Sequence, residues 1–280
     1  MRIAVTGATG NTGAAVTGRH HVLAITRDPQ GKAAQQLAEL PGVVPVTLED
    51  AFTEPVDRIY LASAVTRDQF LVETDVIIAA RKAGVEYIVK LSTVDAWMEV
   101  YSDIFYARSH LAVECFLERG DIPFTCLRAN LFHTSVGIDL DAVPKTNQFR
   151  TFLHGASVAT IDPDDVGRAA AALLSLEDPS RHYSKKYMLT GPEDVNDQSI
   201  GEALREVLQA DVTFGGTLTV DEFTKATGSP INPKSLLPPI TFLRQGKGDR
   251  AHAVASPEML ALAPPKGTFK EFITQYYAKN

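Results

Sequence analysis

Short apolar runs alternate with amphipathic stretches through the first half of this chain. The runs Arg2–Val5, Val22–Thr26, Val43–Val46, Arg58–Ala62, Tyr87–Leu91 and Phe124–Leu127 predict strands. Between them, apolar residues recur at helical spacing over Gln30–Glu39, Arg67–Lys82 and Asp103–Arg119. The first helix is short, with only Ala14 to Arg19 separating Gly13 from the second strand. Gly84 and Gly120 follow two of the helices, where a left-handed cap ends the element. Strand–helix alternation of this kind builds a parallel sheet with helices on both faces, an α/β doubly wound architecture of the Rossmann type.

The pattern changes after Arg128. Residues Ala129–Gly155 read as a long irregular loop on the substrate side. A short strand at Val158–Ile161 then leads through Asp162-Pro163-Asp164-Asp165 into an alanine-rich helix, Val166–Leu176. Further on come a strand near Lys186–Leu189, a helix near Gln198–Leu208, a strand near Val212–Phe214, a helical patch near Val220–Ala226 and a last helix around Phe269–Tyr277. The four prolines between Gly228 and Gly248 make that stretch a loop. The expected division is a nucleotide-binding core of residues 1–130, to which 156–176 return, and a smaller C-terminal α+β lobe of 131–155 and 177–280.

Composition narrows the class. Hydrophobic residues make up 45% and charged residues 22% of the 280 positions, as in an ordinary globular domain. A formal net charge of −7, with Lys and Arg scattered, argues against nucleic acid as a partner. No apolar stretch is long enough to cross a bilayer, and a chain opening on a strand leaves no room for a secretory leader. The two cysteines, Cys115 and Cys126, lack metal-ligand spacing and read as small core residues. The expectation is a cytoplasmic protein with no metal site.

The most specific motif follows the first strand. Thr6-Gly7-Ala8-Thr9-Gly10-Asn11-Thr12-Gly13 puts three glycines on a strand–turn–helix corner. Gly7 permits the tight exit, Gly10 lets backbone approach a pyrophosphate, and Gly13 lets the helix pack close to the sheet. Gly7, Thr9, Gly10, Asn11, Thr12 and Gly13 are therefore candidate contacts to a nicotinamide dinucleotide. The second strand ends Thr26-Arg27-Asp28-Pro29. Arg27, with Lys32 a turn further on, matches a 2′-phosphate, and Asp28 reads as a cap for the next helix, so NADP(H) is preferred over NAD(H). The strand ends Ala62-Ser63 and Leu91-Ser92-Thr93, together with Asn130, are further cofactor-lining candidates at the carboxyl edge of the sheet.

Tyr106, His110 and Glu114 fall at i, i+4 and i+8 and share one helical face. Tyr106, His110 and Ser92 are the catalytic candidates, a hydroxyl or imidazole serving to deliver or orient a proton as hydride arrives. Arg128 reads as structural, paired with a carboxylate under the sheet, while Lys90 is open to either reading. Trp97, Met98, Tyr101 and Phe105 form an aromatic wall over the site or belong to the core.

The glycine phrase and the Tyr106-x-x-Ser109-His110-x-x-x-Glu114 segment resemble the extended and atypical short-chain dehydrogenases, whose active-site motif is Tyr-x-x-x-Lys. His110-x-x-x-Glu114, Gly120-x-Ile122-Pro123-Phe124-Thr125-x-Leu127-Arg128 and Val158-Ala159-Thr160-Ile161-Asp162 to Asp165-Val166-Gly167 resemble the NmrA-like branch more closely. That branch holds quinone and triphenylmethane reductases, ergot-alkaloid iminium reductases and redox-sensing regulators. The likeness runs the length of the chain and thins beyond about Gly191. It implies an NADPH-dependent reductase delivering hydride to an electron-poor carbon of an apolar or aromatic molecule, such as a quinone, iminium, enone or carbonyl. The alternatives are a non-catalytic NADP(H) sensor that binds a protein partner, and an isomerase or cyclase recruited onto the fold. His110 stands where the superfamily has its lysine, which fits a substrate needing no strong acid.

Overall fold

The computed structural model describes residues 1–16, 21–227 and 252–279, together with 241, 243, 245, 248 and 249. The expected loop of Gly228–Gly248 lies largely outside the described residues, as does the end of the first helix. In chain order the elements are β1 (Arg2–Thr6), α1 (Gly13–Val16), β2 (His21–Ile25), α2 (Lys32–Ala38), β3 (Val43–Val46), α3 (Leu48–Ala51), β4 (Arg58–Leu61), α4 (Gln69–Lys82), β5 (Tyr87–Thr93) and α5 (Phe105–Glu118). There follow β6 (Phe124–Ala129), α6 (Val143–Thr146), β7 (Gln148–Thr151), α7 (Pro163–Ser175), β8 (Lys185–Leu189), α8 (Asp197–Leu208), β9 (Thr213–Thr217), α9 (Val220–Thr227), α10 (Pro257–Leu262) and α11 (Phe269–Lys279).

Among the described residues, one sheet runs β3-β2-β1-β4-β5-β6-β8 with every pairing parallel. Both faces are covered, so the strands are mostly apolar and successive residues enter different cores. Ile3, Val5, Val22, Ala24, Tyr60, Val89 and Leu127 face a cluster with Val166, Ala169 and Leu173 of α7. Ala4, Leu23, Ile59, Leu61, Ile88 and Cys126 face the other, with Val76, Ile77 and Ala80 of α4 and Val113 and Leu117 of α5. This two-residue period is the ordinary geometry of a strand, and the doubly wound sheet expected from the sequence is present.

Several ends follow from local chemistry. The left-handed Gly84, φ 76°, closes α4 with its N–H on Arg81 O, while Val85 N–H reaches Ala80 O. Gly120 does not do the same: its φ is not positive, and α5 ends on Arg119 with the Gly120 N–H turned to Leu117 O. Asp162 caps α7 by accepting from the Asp164 N–H at 2.9 Å, with Pro163 as the first helical residue. Buried Arg58 of β4 donates to Leu174 O and Leu176 O at the other end of α7.

Four expectations change. The strand at Lys185–Leu189 lies at the edge of the large sheet, because β8 pairs with β6; the division at 177 therefore assigned part of the core to the small lobe. Residues 129–155 are not wholly irregular, since β7 pairs parallel with β9 in a second sheet; at four residues its alternation was too short to stand out. Val158–Ile161 forms only isolated bridges, Val158 to Val195 and Ile161 to Phe132. Cys126 is buried, but Cys115 falls on the outward side of α5 and is exposed.

Helix α7 packs so closely on α1 that a Cβ at Gly167 would collide with the Ala15 Cβ and stand 2.6 Å from Thr12 O. Glycine to alanine in a helix interior ordinarily gains up to about 1 kcal/mol. Here the overlap dominates. Gly167→Ala is expected to lose about 1–3 kcal/mol in urea unfolding, and a gain in stability would refute this packing.

Candidate active site

The first βα turn is built almost without side chains. Gly7 adopts φ 60°, and the Gly10 N–H closes the turn on Gly7 O at 2.8 Å. A Cβ on Gly13 would stand 2.7 Å from Ala8 Cα, so only glycine lets the chain fold back there. Thr6 Oγ1 donates to Ala62 O at 2.7 Å and accepts from the Ala62 N–H at 2.8 Å, tying the ends of β1 and β4 together. Thr9, Gly10 and Asn11 are exposed, and the Asn11 and Thr12 N–H groups have no partner among the described residues. The Thr12 side chain instead faces inward, accepting from the Tyr60 hydroxyl at 2.9 Å, so it braces the turn from below. Bare backbone with free N–H groups fits a diphosphate. Exposed Arg27 lies two residues beyond Ile25, which is in register with Thr6, so it emerges at the same sheet edge. Asp28 does not cap α2; its carboxylate accepts from the Gln30 N–H in the preceding turn.

From this edge a cavity of about 630 Å³ opens between the large sheet and the small lobe. It brings together Asn11, Ser63, Leu91, Ser92, Thr93, Tyr106, His110 and Asn130 from the sequence-derived set. Gly7, Thr9, Gly10, Thr12, Gly13, Arg27 and Ala62 are not in its wall. The apolar side is Trp97, Leu131, Phe132, Ile138, Phe152, Phe223 and Leu243. Phe152 and Phe223 stack at 4.1 Å, and left-handed Gly137, where a Cβ would strike Phe223 at 2.8 Å, makes room for them. Of the proposed aromatic wall, Trp97 is in the lining and Tyr101 is 94% exposed, out in solvent. Among the described lining residues none is an acid, a lysine or an arginine.

The three catalytic candidates differ in what they have free. Ser92 Oγ donates its proton to Glu114 Oε1 at 2.6 Å, so toward the cavity it is left as an acceptor. Tyr106 is half-buried, edge-on to Trp97, and its hydroxyl has no partner among the described residues. Burial pushes its ionisation well above the usual tyrosine range, so it is a neutral phenol at physiological pH. Burial, and then the Lys90 charge, drive His110 well below the usual histidine range, so its imidazole is neutral as well. Asn130 has its carboxamide fully engaged, donating to Ala159 O and Gly248 O and accepting from the Leu131 N–H. It holds the cavity wall together.

Two polar clusters stand behind this lining. Lys90 of β5, fully buried, reaches Glu73 Oε2 of α4 and His110 Nδ1 of α5, both at 2.9 Å, and Leu91 O at 2.5 Å. Glu73 Oε1 accepts from Ser63 Oγ at 2.7 Å and from Gln69 Nε2 at 3.0 Å. In the second cluster Arg128 grips Glu114 with two N–H groups, at 2.6 and 3.2 Å, and also pairs with Asp95. Lys186 adds a second cation 3.3 Å from Glu114. Arg128 is thus the structural cation the sequence suggested. Gln69 and Glu73 were missed, although a signal existed. They continue the buried stripe of Val76, Ile77 and Ala80 on α4, just as His110 and Glu114 interrupt that of Val113 and Leu117 on α5.

No family model matches the chain. Among curated relatives, the (4-alkanoyl-5-oxo-2,5-dihydrofuran-3-yl)methyl phosphate reductase of Streptomyces griseus is 26% identical over 264 residues, 91% of this chain and 89% of that protein. Triphenylmethane reductase of Citrobacter sp., solved with NADP(H), superposes with a TM-score of 0.77 at 24% identity, over 98% of this chain and 99% of its own. NmrA, a negative transcriptional regulator solved with NADP, superposes with a TM-score of 0.74 at 17% identity, over 99% of this chain and 95% of its own. NmrA has also been solved with NAD. The fold is NmrA-like. The resemblance read from the motifs is therefore met across the chain, by reductases and by a regulator. Among the described residues no helix is long and apolar enough to cross a membrane, and no group of three or more His, Cys, Asp or Glu is placed to hold a metal ion.

Burial opposes ionisation of Glu114, but the hydrogen bonds and charge of Arg128, with Ser92 and Lys186, outweigh it and hold the carboxyl below the usual glutamate range. A carboxyl depressed by folding lends stability that is complete above its unfolded value, near pH 4.5, and is lost as pH falls through its folded value. Glu114→Gln is expected to flatten the fall in stability below pH 4.5, and to lose about 3–5 kcal/mol near neutrality by leaving Arg128 without its buried partner. Denaturant titrations across pH 3–8 check both effects.

Proposed function

We propose that this protein is an NADPH-dependent reductase of flat aromatic or quinonoid molecules that carry no anionic group. One observation carries the reading: a single cavity runs from Asn11 of the glycine turn past Ser92, Tyr106 and His110 to the aromatic wall of Trp97, Phe152 and Phe223. The curated reductase relative and the reductase neighbour support it. Gly7, Gly10 and the Asn11 and Thr12 N–H groups would hold the diphosphate, Arg27 the 2′-phosphate, and the strand ends at Ser63 and Leu91–Thr93 the nicotinamide half. Bound there, NADPH supplies the hydride.

The chain's own part is positioning and polarity. The aromatic wall stacks a flat substrate and excludes water, which strengthens every dipole aimed into the cavity. Tyr106 and His110 are both neutral, so they offer hydrogen-bond donors to an acceptor atom of the substrate and not a strong acid. Such a site suits an electron-poor carbon that takes hydride before a proton, as a quinone or an iminium carbon does. The absence of lysine and arginine among the described lining residues fits an acceptor without anionic groups better than a phosphate ester.

Stopped-flow decay of NADPH absorbance against quinones, iminium dyes, enones and aldehydes tests the reading. Quinones and iminium dyes are expected to react fastest, with Tyr106→Phe slowing turnover by about tenfold or less, since a neutral donor is lost and no acid. Arg27→Asp is expected to weaken NADPH about tenfold to a hundredfold while leaving NADH within a few-fold. Tight cofactor binding with no turnover on any of the four classes would overturn the reductase and favour a sensor.

A further inference from the structure

The buried group Ser63, Gln69, Glu73, Lys90 and His110 begins and ends in the cavity, at Ser63 on one side and His110 on the other. Its centre is a lysine with no exposure, on the face of β5 that otherwise meets the apolar stripes of α4 and α5. A buried ammonium is costly unless all its donors are met. Here three acceptors surround it: a Glu73 carboxylate oxygen, the Leu91 carbonyl and a ring nitrogen of His110.

That arrangement fixes the histidine. An ammonium has three donors and no lone pair, so the ring nitrogen facing it must be the acceptor. His110 Nδ1 lies 2.9 Å from Lys90 Nζ, which leaves the ring proton on Nε2. Lys90 approaches from β5, with Glu73 of α4 behind it at 2.9 Å. The Gln69 amide nitrogen, also on α4 and anchored on Glu73, lies 3.3 Å from both ring nitrogens; as a donor it pairs with the bare Nδ1. On α5 itself, Tyr106 is a neutral phenol one turn before, and Glu114 one turn after is engaged by Arg128 and Ser92. Among the described residues no carboxylate hydrogen-bonds the ring to draw a second proton onto it.

We propose that Lys90, braced by Glu73, is a positioning residue that locks His110 as the uncharged Nε2–H tautomer and so presents one fixed donor to the acceptor oxygen of a quinone-type substrate. This rests on the reductase reading for the identity of the substrate, but the lock itself does not. It makes the site's polarity independent of pH across the range where a free histidine would titrate.

Long-range proton–nitrogen NMR of histidine-labelled protein reads the tautomer directly, with His110→Gln identifying the signals. The intact protein is expected to show His110 with a protonated Nε2 and a bare Nδ1, unchanged from pH 5.5 to 8.5. Adding 2-methyl-1,4-naphthoquinone with NADP⁺, where no turnover occurs, is expected to shift the Nε2–H resonance. The double variant Lys90→Met/Glu73→Gln removes both charges together, so neither is stranded. It is expected to show mixed tautomers, protonation of His110 on acidification, and a quinone KM raised about tenfold with a new pH dependence below 7. An Nδ1–H or charged His110 in the intact protein would overturn the proposal, as would a double variant that keeps the Nε2–H form and a flat pH profile. If the quinone neither reacts with NADPH nor moves the resonance while the tautomer is as expected, the donor role falls and only the lock survives; the reductase reading is judged separately by the four substrate classes.

Discussion

The approach of backbone to backbone at the first βα turn is the constraint on which the rest depends. Gly13 folds back until it meets Ala8, and α7 presses Gly167 against Thr12 and Ala15 from behind. Tyr60 reaches up from β4 to hold the Thr12 hydroxyl, and Thr6 ties the same strand end through Ala62. Each contact removes freedom from a segment that carries almost no side chains of its own. The turn is held in shape before any ligand arrives, so little ordering is left to be done when a diphosphate binds.

Polarity at the other end of the cavity is organised by ion pairs placed one layer behind its lining. Lys90–Glu73 stands behind His110, and Arg128–Glu114 stands behind Ser92. Neither pair enters the cavity wall. Their charges are neutralised in place, while the groups they hold show the cavity only neutral dipoles. The tyrosine beside them is neutral as any phenol is near pH 7, and burial pushes its ionisation further up. Under the proposed reductase reading, such a pocket suits molecules whose reacting carbon accepts hydride without a strong acid at hand.

Much of the large sheet was legible because its strands are buried on both faces and stand out as continuous apolar runs between glycine and proline signals. Val43–Val46 has the bounds read from the sequence, whereas α7 begins at Pro163, three residues before the Val166 read from its alanine-rich pattern. The glycine turn was equally plain, since each glycine answers a steric demand. The small lobe was harder. Strand β7 is four residues long and gains its identity only from β9, some sixty residues away in sequence. Gly120 looked like a left-handed cap, yet its helix ends without one. Asn130 in the cavity wall and Thr12 beneath the glycine turn have structural hydrogen-bond partners, which spacing alone does not reveal. The Lys90 group was legible only in part. Gln69 and Glu73 sit at helical spacing on a stripe that should be apolar, but that reads as a misplaced charge until β5 and α5 supply its partners.

Calorimetric titration of the intact protein with NADPH and with NADH probes the central claim, that the first turn cradles a dinucleotide, most directly. The account requires one site per chain, with the phosphorylated cofactor bound more tightly by the cationic edge at Arg27. Folded protein that releases no heat with either dinucleotide would contradict it.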